Sequence, residues 1–187
     1  MRGAKKCLLE LGYARTTARD IVAASGTNLA SIGYHFGSKD ALMAAAMMEL
    51  MGDWGDRFSP PSMRDVEMSS LQRFSEAWQR LIEQFAADPQ LLIASFEIFA
   101  QIQRLPNLKA MLAGAYEQLR GELALDFLTP TPDLEGKRFR AVSSLLLALL
   151  SGLAAQYLAD PERAPTVDEI VDGLRYIGRS LDALAGE

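Results

Sequence analysis

Apolar residues recur along most of this chain at spacings of three and four, the period of an amphipathic helix, and no run of alternating β-branched residues interrupts them. The pattern predicts an all-α chain of about nine helices. Ala4–Leu11 is helical and stops at Gly12. Thr17 caps a second helix, with Asp20 in its first turn where a carboxylate suits the helix dipole, and Gly26 ends it. A third, short helix follows Asn28, itself a good N-cap, and finishes around Phe36-Gly37. Ser38 caps a fourth that runs to about Met51. Gly52 to Pro61 is the clearest break and sets the expected boundary between an N-terminal unit of residues 1–52 and a C-terminal one of 53–187.

Longer amphipathic segments follow. Leu71–Ala87 stops before Asp88-Pro89, and Leu91–Arg104 halts at Pro106, which suits the first turn of the next helix. Leu108–Leu128 ends at the Thr-Pro-Thr-Pro stretch 129–132, and Glu135–Ala159 stops before Asp160-Pro161. Thr166 to Glu169 reads as a capping box opening the last helix. Within the fourth of these segments, residues 141–159 carry no charge and are long enough to span a bilayer. Ser144, Ala148, Gly152 and Ala155 form a stripe of small side chains there, which lets another helix approach closely. No second apolar stretch of that length exists, so the segment is read as a helix at an interface rather than a membrane span.

Composition narrows the classes. At 187 residues and 49% hydrophobic, the chain can bury a real core, and it is too apolar for a disordered one. One Cys, at 7, excludes an intrachain disulfide and favours a reducing compartment, and one His, at 35, makes a zinc cage untenable. The first dozen residues hold no apolar stretch of signal-peptide length, which points to the cytoplasm. No Cys–His or Ser–His arrangement and no paired catalytic carboxylates stand out, so neither an enzyme nor a cofactor is expected.

The second and third helices, joined by Ser25-Gly26-Thr27-Asn28, make a helix-turn-helix, with Gly26 at the bend and Ile21, Val22 and Ile32 placed to hold the pair together. The longer string, residues 12–42, resembles the DNA-binding module of the tetracycline-repressor (TetR) family. The matching features are Gly12-Tyr13, Thr17 with Arg19-Asp20-Ile21, Gly26, Tyr34-His35-Phe36, and Gly37-Ser38-Lys39 before Ala41-Leu42. The resemblance covers about the first fifty residues. It implies a two-fold homodimer that binds a palindromic operator in double-stranded DNA and releases it when a small-molecule effector binds the C-terminal region.

Residue chemistry supplies the candidate contacts. Asn28 and Ser31 can hydrogen-bond base edges or phosphate, and Leu29 and Ala30 can touch thymine methyls. Tyr34, His35 and Lys39 stand where family members grip phosphates, and Thr17 can offer its hydroxyl and backbone N–H to another. Gly33 occupies a position where a large residue often contacts DNA, Leu29 one where a polar residue is frequent, and Val22 and Ser25 replace small alanines. Only Met1-Arg2-Gly3 precede Ala4, so either the chain is truncated or it grips DNA without the family's basic arm.

For the effector, aromatic and methionine side chains concentrate in the middle helices, with Phe74, Trp78, Phe96, Met111 and Tyr116 as candidate lining. Glu97 interrupts the apolar run Ile93–Ile102 and, with Gln101 and Tyr116, is a candidate polar group facing a cationic or polar ligand. For the dimer, the Ser144-Ala148-Gly152-Ala155 stripe and the last helix's Leu174, Ile177 and Leu181 would form a four-helix bundle with their two-fold mates. Ligand binding would shift the fourth helix and change the separation of the recognition helices, whose half-sites lie about 34–36 Å or a multiple apart. An all-α carrier or enzyme, and a helix-turn-helix interaction module without DNA, are the alternatives.

Charge refines the picture. The whole chain holds 19 basic and 24 acidic residues, a formal −5. Residues 1–52 nonetheless hold six basic side chains (Arg2, Lys5, Lys6, Arg15, Arg19, Lys39) against four acidic ones (Glu10, Asp20, Asp40, Glu49), a net +2. The remainder carries −7, so the acidic balance belongs to the expected sensor and dimer region.

Overall fold

The computed structural model describes residues 1–58, 68–102, 106–128 and 134–185, the side chains of 54–58, 106, 107, 126, 184 and 185 excepted. Among the described residues the fold is nine α-helices and no strand. They are α1 (Arg2–Leu11), α2 (Ala18–Ser25), α3 (Leu29–Phe36), α4 (Lys39–Phe58), α5 (Ser70–Ala87), α6 (Pro89–Phe99), α7 (Pro106–Phe127), α8 (Gly136–Ala159) and α9 (Val167–Ala185).

Local chemistry explains most of the boundaries. Thr17 and Asp20 form a reciprocal capping box at the start of α2, and Asn28 Oδ1 accepts the Ser31 N–H at 2.9 Å at the start of α3. Ser38 Oγ accepts the Ala41 N–H at 3.0 Å in the first turn of α4. Thr166 and Glu169 close the same kind of box before α9. A further box precedes α5, where Ser69 and Gln72 exchange bonds of 3.0 and 3.2 Å. Gly26 ends α2 in the left-handed conformation, φ 68°.

Two boundaries differ from the sequence expectation. Helix α4 does not stop at Met51 but continues through Gly52 to Phe58. A glycine inside a helix costs about 1 kcal/mol, and tertiary pairing overrides it. Lys5 Nζ on α1 meets Glu49 Oε2 and Asp53 Oδ2, each at 2.9 Å, on either side of Gly52. The rest of the expected break, 59–61, lies outside the described residues, as do residues 129–132. Helix α6 ends at Phe99 rather than Arg104. Its exit tightens into three-residue closures, Gln101 N–H to Ile98 O and Ile102 N–H to Phe99 O, so Gln101 is no longer on a helical face with Glu97.

The chain divides into two compact units, Met1–Pro61 with Ala86–Leu119, and Ser62–Phe85 with Arg120–Glu187. The first unit thus joins α6 and the first half of α7 to the N-terminal helices. In the first unit α1 packs on α2, α4 and α6, and α4 also packs on α3 and α6. Leu8, Tyr13, Ile21, Ile32, Met43, Met47, Leu91 and Ile98 fill this core. The α1–α2 crossing is close, for a Cβ added at Gly3 would lie 2.7 Å from Ser25 Cβ and 2.9 Å from the Ile21 carbonyl oxygen. In the second unit Trp78, Leu81, Phe85, Phe127, Leu146 and Leu153 are buried, and the rings of Phe74, Trp78 and Phe127 meet edge-on or tilted at centroid distances of 5.0 to 6.0 Å.

Candidate nucleic-acid interface

Helix α3 buries one residue, Ile32, against the first-unit core and leaves most of the others to solvent. Leu29 is 56% exposed and Tyr34 86%, which no core or capping role explains. Ala30, Gly33 and His35 are exposed beside them, and the Tyr34 and His35 rings meet edge-on at 4.9 Å. Asn28 caps the helix through Oδ1, which accepts from both Ser31 N–H and Ser31 Oγ, at 2.9 and 3.0 Å. Its amide N–H groups stay directed to neither bond and remain available as donors. The cap and the readout roles of Asn28 are therefore compatible. The surface combines amide, hydroxyl, methyl and phenol groups, the inventory that reads base edges and thymine methyls in a major groove.

Two expected phosphate contacts are already engaged within the protein. Thr17 donates its hydroxyl to Asp20 Oδ2 at 2.6 Å and its N–H to the same oxygen at 2.8 Å. Those bonds hold the Asp20 carboxyl below the usual carboxylate range, the hydroxyl first and the backbone N–H second. Lys39 donates to the Thr16 carbonyl at 3.2 Å, pairs with Asp40 Oδ1 at 3.2 Å and sits 5.5 Å from the centroid of the Tyr13 ring. Its ammonium is fixed at the edge of α4 rather than swinging freely.

Arg15 and Arg19 have no carboxylate partner among the described residues, and both are exposed around the start of α2. Arg15 Nε donates to the Leu11 carbonyl at 2.7 Å. Unpaired guanidinium groups beside a helix N-terminus are a phosphate-binding chemistry in their own right. The sequence carried a signal for them, since neither has an acidic residue three or four positions away in the chain.

Comparison with known proteins identifies the family. The family described as bacterial regulatory proteins, tetR family, matches residues 1–46. The family described as tetracyclin repressor-like, C-terminal domain, matches residues 69–176, more than half of the chain. The chain belongs to the TetR family. No curated protein matches it. Among solved structures, a proposed transcriptional regulator from Pseudomonas aeruginosa PAO1 is 22% identical, with 97% of this chain and 86% of that one covered and a TM-score of 0.69. A TetR transcription regulator from Haloarcula marismortui ATCC 43049 is 21% identical over 97% and 93%, TM-score 0.63. The multidrug binding protein EbrR, solved with imidazole, is 21% identical over 87% and 79%, TM-score 0.66. At these identities the likeness is one of fold.

The TetR-family chain distributes its candidate effector residues over both units. Phe74 and Trp78 belong to the second, and Phe96, Glu97, Gln101, Met111 and Tyr116 to the first. A cavity of about 230 Å³ lies in the second unit between Trp78, Leu149, Leu153, Gln156, Pro165 and Ile170. Trp78 is fully buried there, and its indole N–H has no hydrogen-bond partner. In the first unit Tyr116 stacks on Phe99 at 6.0 Å, and burial pushes its phenol pKa up. Glu97 is committed elsewhere, because its Oε2 accepts the Tyr13 backbone N–H at 2.7 Å.

The expected dimer residues lie on open surface. Ala148 and Ala155 are exposed, Ser144, Gly152 and Leu174 half-buried, and Ile177 and Leu181 are 55% and 60% exposed. Helix α8 alone is long and apolar enough to cross a membrane by length and composition, among the described residues.

Proposed function

We propose that this TetR-family chain is a cytoplasmic homodimeric repressor that binds a palindromic operator through α3 and releases it on binding a small-molecule effector. The observation that carries the reading is the solvent face of α3, where Leu29 and Tyr34 stand exposed on a helix otherwise anchored through Ile32. The unpaired Arg15 and Arg19 beside it support phosphate contact. The helix-turn-helix module, here residues 1–52, would bind DNA, and residues 53–187 would bind effector and partner.

Pairing of subunits is supported by the apolar surface on α8 and α9. Leu145, Tyr176, Ile177 and Leu181 are all more than half exposed, an accumulation that monomeric proteins rarely leave open. Two copies of these helices around a two-fold axis make a four-helix bundle, with the small residues Ala148 and Gly152 permitting close approach. The same pairing gives α8 an apolar neighbour without a bilayer. For the effector, the cavity at Trp78 and Gln156 favours a small, largely apolar molecule with a hydrogen-bonding group. EbrR was solved with imidazole, a small molecule with hydrogen-bonding nitrogens.

The test is selection from a pool of random duplexes, followed by titration of the selected duplex at several salt concentrations. Two half-sites related by a dyad, one or more helical turns apart, are expected. Lys39→Ala should weaken binding to all sequences alike, whereas Leu29→Lys should change which sequence is preferred. Enrichment of no duplex, or binding that does not fall with salt, would overturn the reading.

A further inference from the structure

We infer that Glu97 is a positioning residue, the point at which α6 sets the DNA-facing edge of the helix-turn-helix module, an inference that rests on the regulator reading above. The carboxylate projects from an otherwise uncharged helix whose Leu91, Ala94 and Ile98 are buried in the first-unit core. It reaches the turn between α1 and α2, 84 positions away in sequence, and takes the Tyr13 N–H at 2.7 Å. Gly12 admits it. That residue has φ 81° and ψ 167°, and a Cβ there would stand 2.7 Å from Glu97 Oε2.

Tyr13 carries the contact onward. The residue is 3% exposed, and burial, with the adjacent Asp40 carboxylate, raises its phenol pKa well above the ordinary value. The hydroxyl donates to Asp40 Oδ1 at 3.4 Å, and Lys39 lies 5.5 Å from the ring centroid while bonding the Thr16 carbonyl of the same turn. Lys39 and Asp40 open α4, three residues after the end of α3. A chain of contacts therefore runs from α6 through the Tyr13 backbone and ring to the cation expected at the phosphate edge.

Helix stability does not account for this placement. The carboxylate sits past the C-terminal end of α1, where the helix dipole is negative and repels an anion. A cation or water would satisfy that end better. What the carboxylate adds is a short charge-assisted bond between two elements, which a displacement of α6 by about 1 Å breaks, because such bonds weaken steeply beyond about 3.2 Å.

The test compares the full-length wild type with Glu97→Ala and Glu97→Gln by amide NMR and by titration of a duplex selected by the wild type. Glu97→Ala should speed exchange of the Tyr13 amide about tenfold or more, shift the Lys39 and Asp40 amide signals, and lower affinity about three- to tenfold. Glu97→Gln keeps an acceptor oxygen and should restore affinity to within about twofold of the wild type. A merely structural role would lower the melting temperature while leaving the Lys39 and Asp40 signals and the affinity of the folded protein unchanged, and that result would overturn the inference. So would a Gln variant as weak as the Ala variant. If Glu97→Ala does not fold, Tyr13→Phe preserves the N–H bond and breaks the link to Asp40, and it should shift the same two signals and weaken binding; no change in either overturns the inference. If the wild type binds no duplex, the regulator reading falls, and the positioning role is then decided by the Lys39 and Asp40 signals alone.

Discussion

Gly12→Ala tests the α1–α2 turn with a magnitude that follows from the geometry. At φ 81° and ψ 167° the residue occupies a region that is essentially glycine's own, and a side chain there costs about 1–3 kcal/mol. The new methyl would also stand 2.7 Å from Glu97 Oε2 and 3.0 Å from Oε1. The carboxylate, as the far end of a flexible side chain, withdraws and gives up the Tyr13 N–H. Losing a hydrogen bond to a charged group adds about 1.5–3 kcal/mol. The sum is about 2.5–6 kcal/mol, enough to lower the melting temperature of a chain this size by about 5–24 °C. Equilibrium urea denaturation of both single variants and of the double variant with Glu97→Ala supplies the assay. In the Glu97→Ala background only the backbone cost remains, so the cycle should show a coupling of about 1.5–3 kcal/mol. Strictly additive effects, or a Gly12→Ala cost under about 1 kcal/mol, would refute the reasoning.

Three further outcomes are expected. Gly3→Ala should cost about 1–3 kcal/mol in the same denaturation assay, because its methyl would press on Ser25 and the Ile21 carbonyl and push α2 off α1; a change under about 0.5 kcal/mol would remove the close approach as a constraint. Ile177→Asp combined with Leu181→Asp should give a monomer at micromolar concentration by sedimentation, against a dimeric wild type, and a dimer surviving both changes would place the interface elsewhere. The Asp20 and Glu169 carboxyls lie below their ordinary 3.8 and 4.5 in the folded chain, because each accepts from the threonine it boxes. The folded state therefore binds fewer protons than the unfolded one, and this stabilisation is present above those ordinary values and lost as pH falls through the lowered ones. Asp20→Asn with Glu169→Gln should flatten the stability profile below about pH 4.5 in urea melts, and an unchanged acid limb would contradict the boxes.

Features readable in the sequence are those decided within one turn of helix. Thr17, Asn28, Ser38 and Thr166 each cap a helix through residues three positions on, so spacing alone located α2, α3, α4 and α9. The Ser69–Gln72 box carried the same signal one residue before α5. Where a distant residue decides, spacing is silent. Gly52 reads as a stop, yet Lys5 pairs with Glu49 and Asp53 across it and α4 continues. Gly3 reads as an unremarkable residue near the chain start, and its constraint comes from Ser25 and Ile21 on another helix. Glu97 shows the limit most clearly. An acidic residue in an apolar run announces a polar partner, but the partner is a backbone N–H 84 positions away, a group that no side-chain pattern can indicate.

The charge balance of the DNA-facing segment follows the same division. A net +2 over residues 1–52 looks thin for a nucleic-acid interface, but net charge counts paired and unpaired groups alike. Lys5 is held by Glu49 and Asp53, Lys6 lies 3.9 Å from Glu10, and Lys39 is paired with Asp40. All four acidic residues of the segment are engaged inside it, Asp20 by Thr17. The cations left without a carboxylate among the described residues are Arg2, Arg15 and Arg19. Two of these flank Thr17 at the start of α2, where the helix dipole adds positive potential to theirs. A phosphate approaching that edge meets two unpaired guanidinium groups and a helix N-terminus rather than the segment's average, and the proposed two-fold dimer would present the arrangement twice.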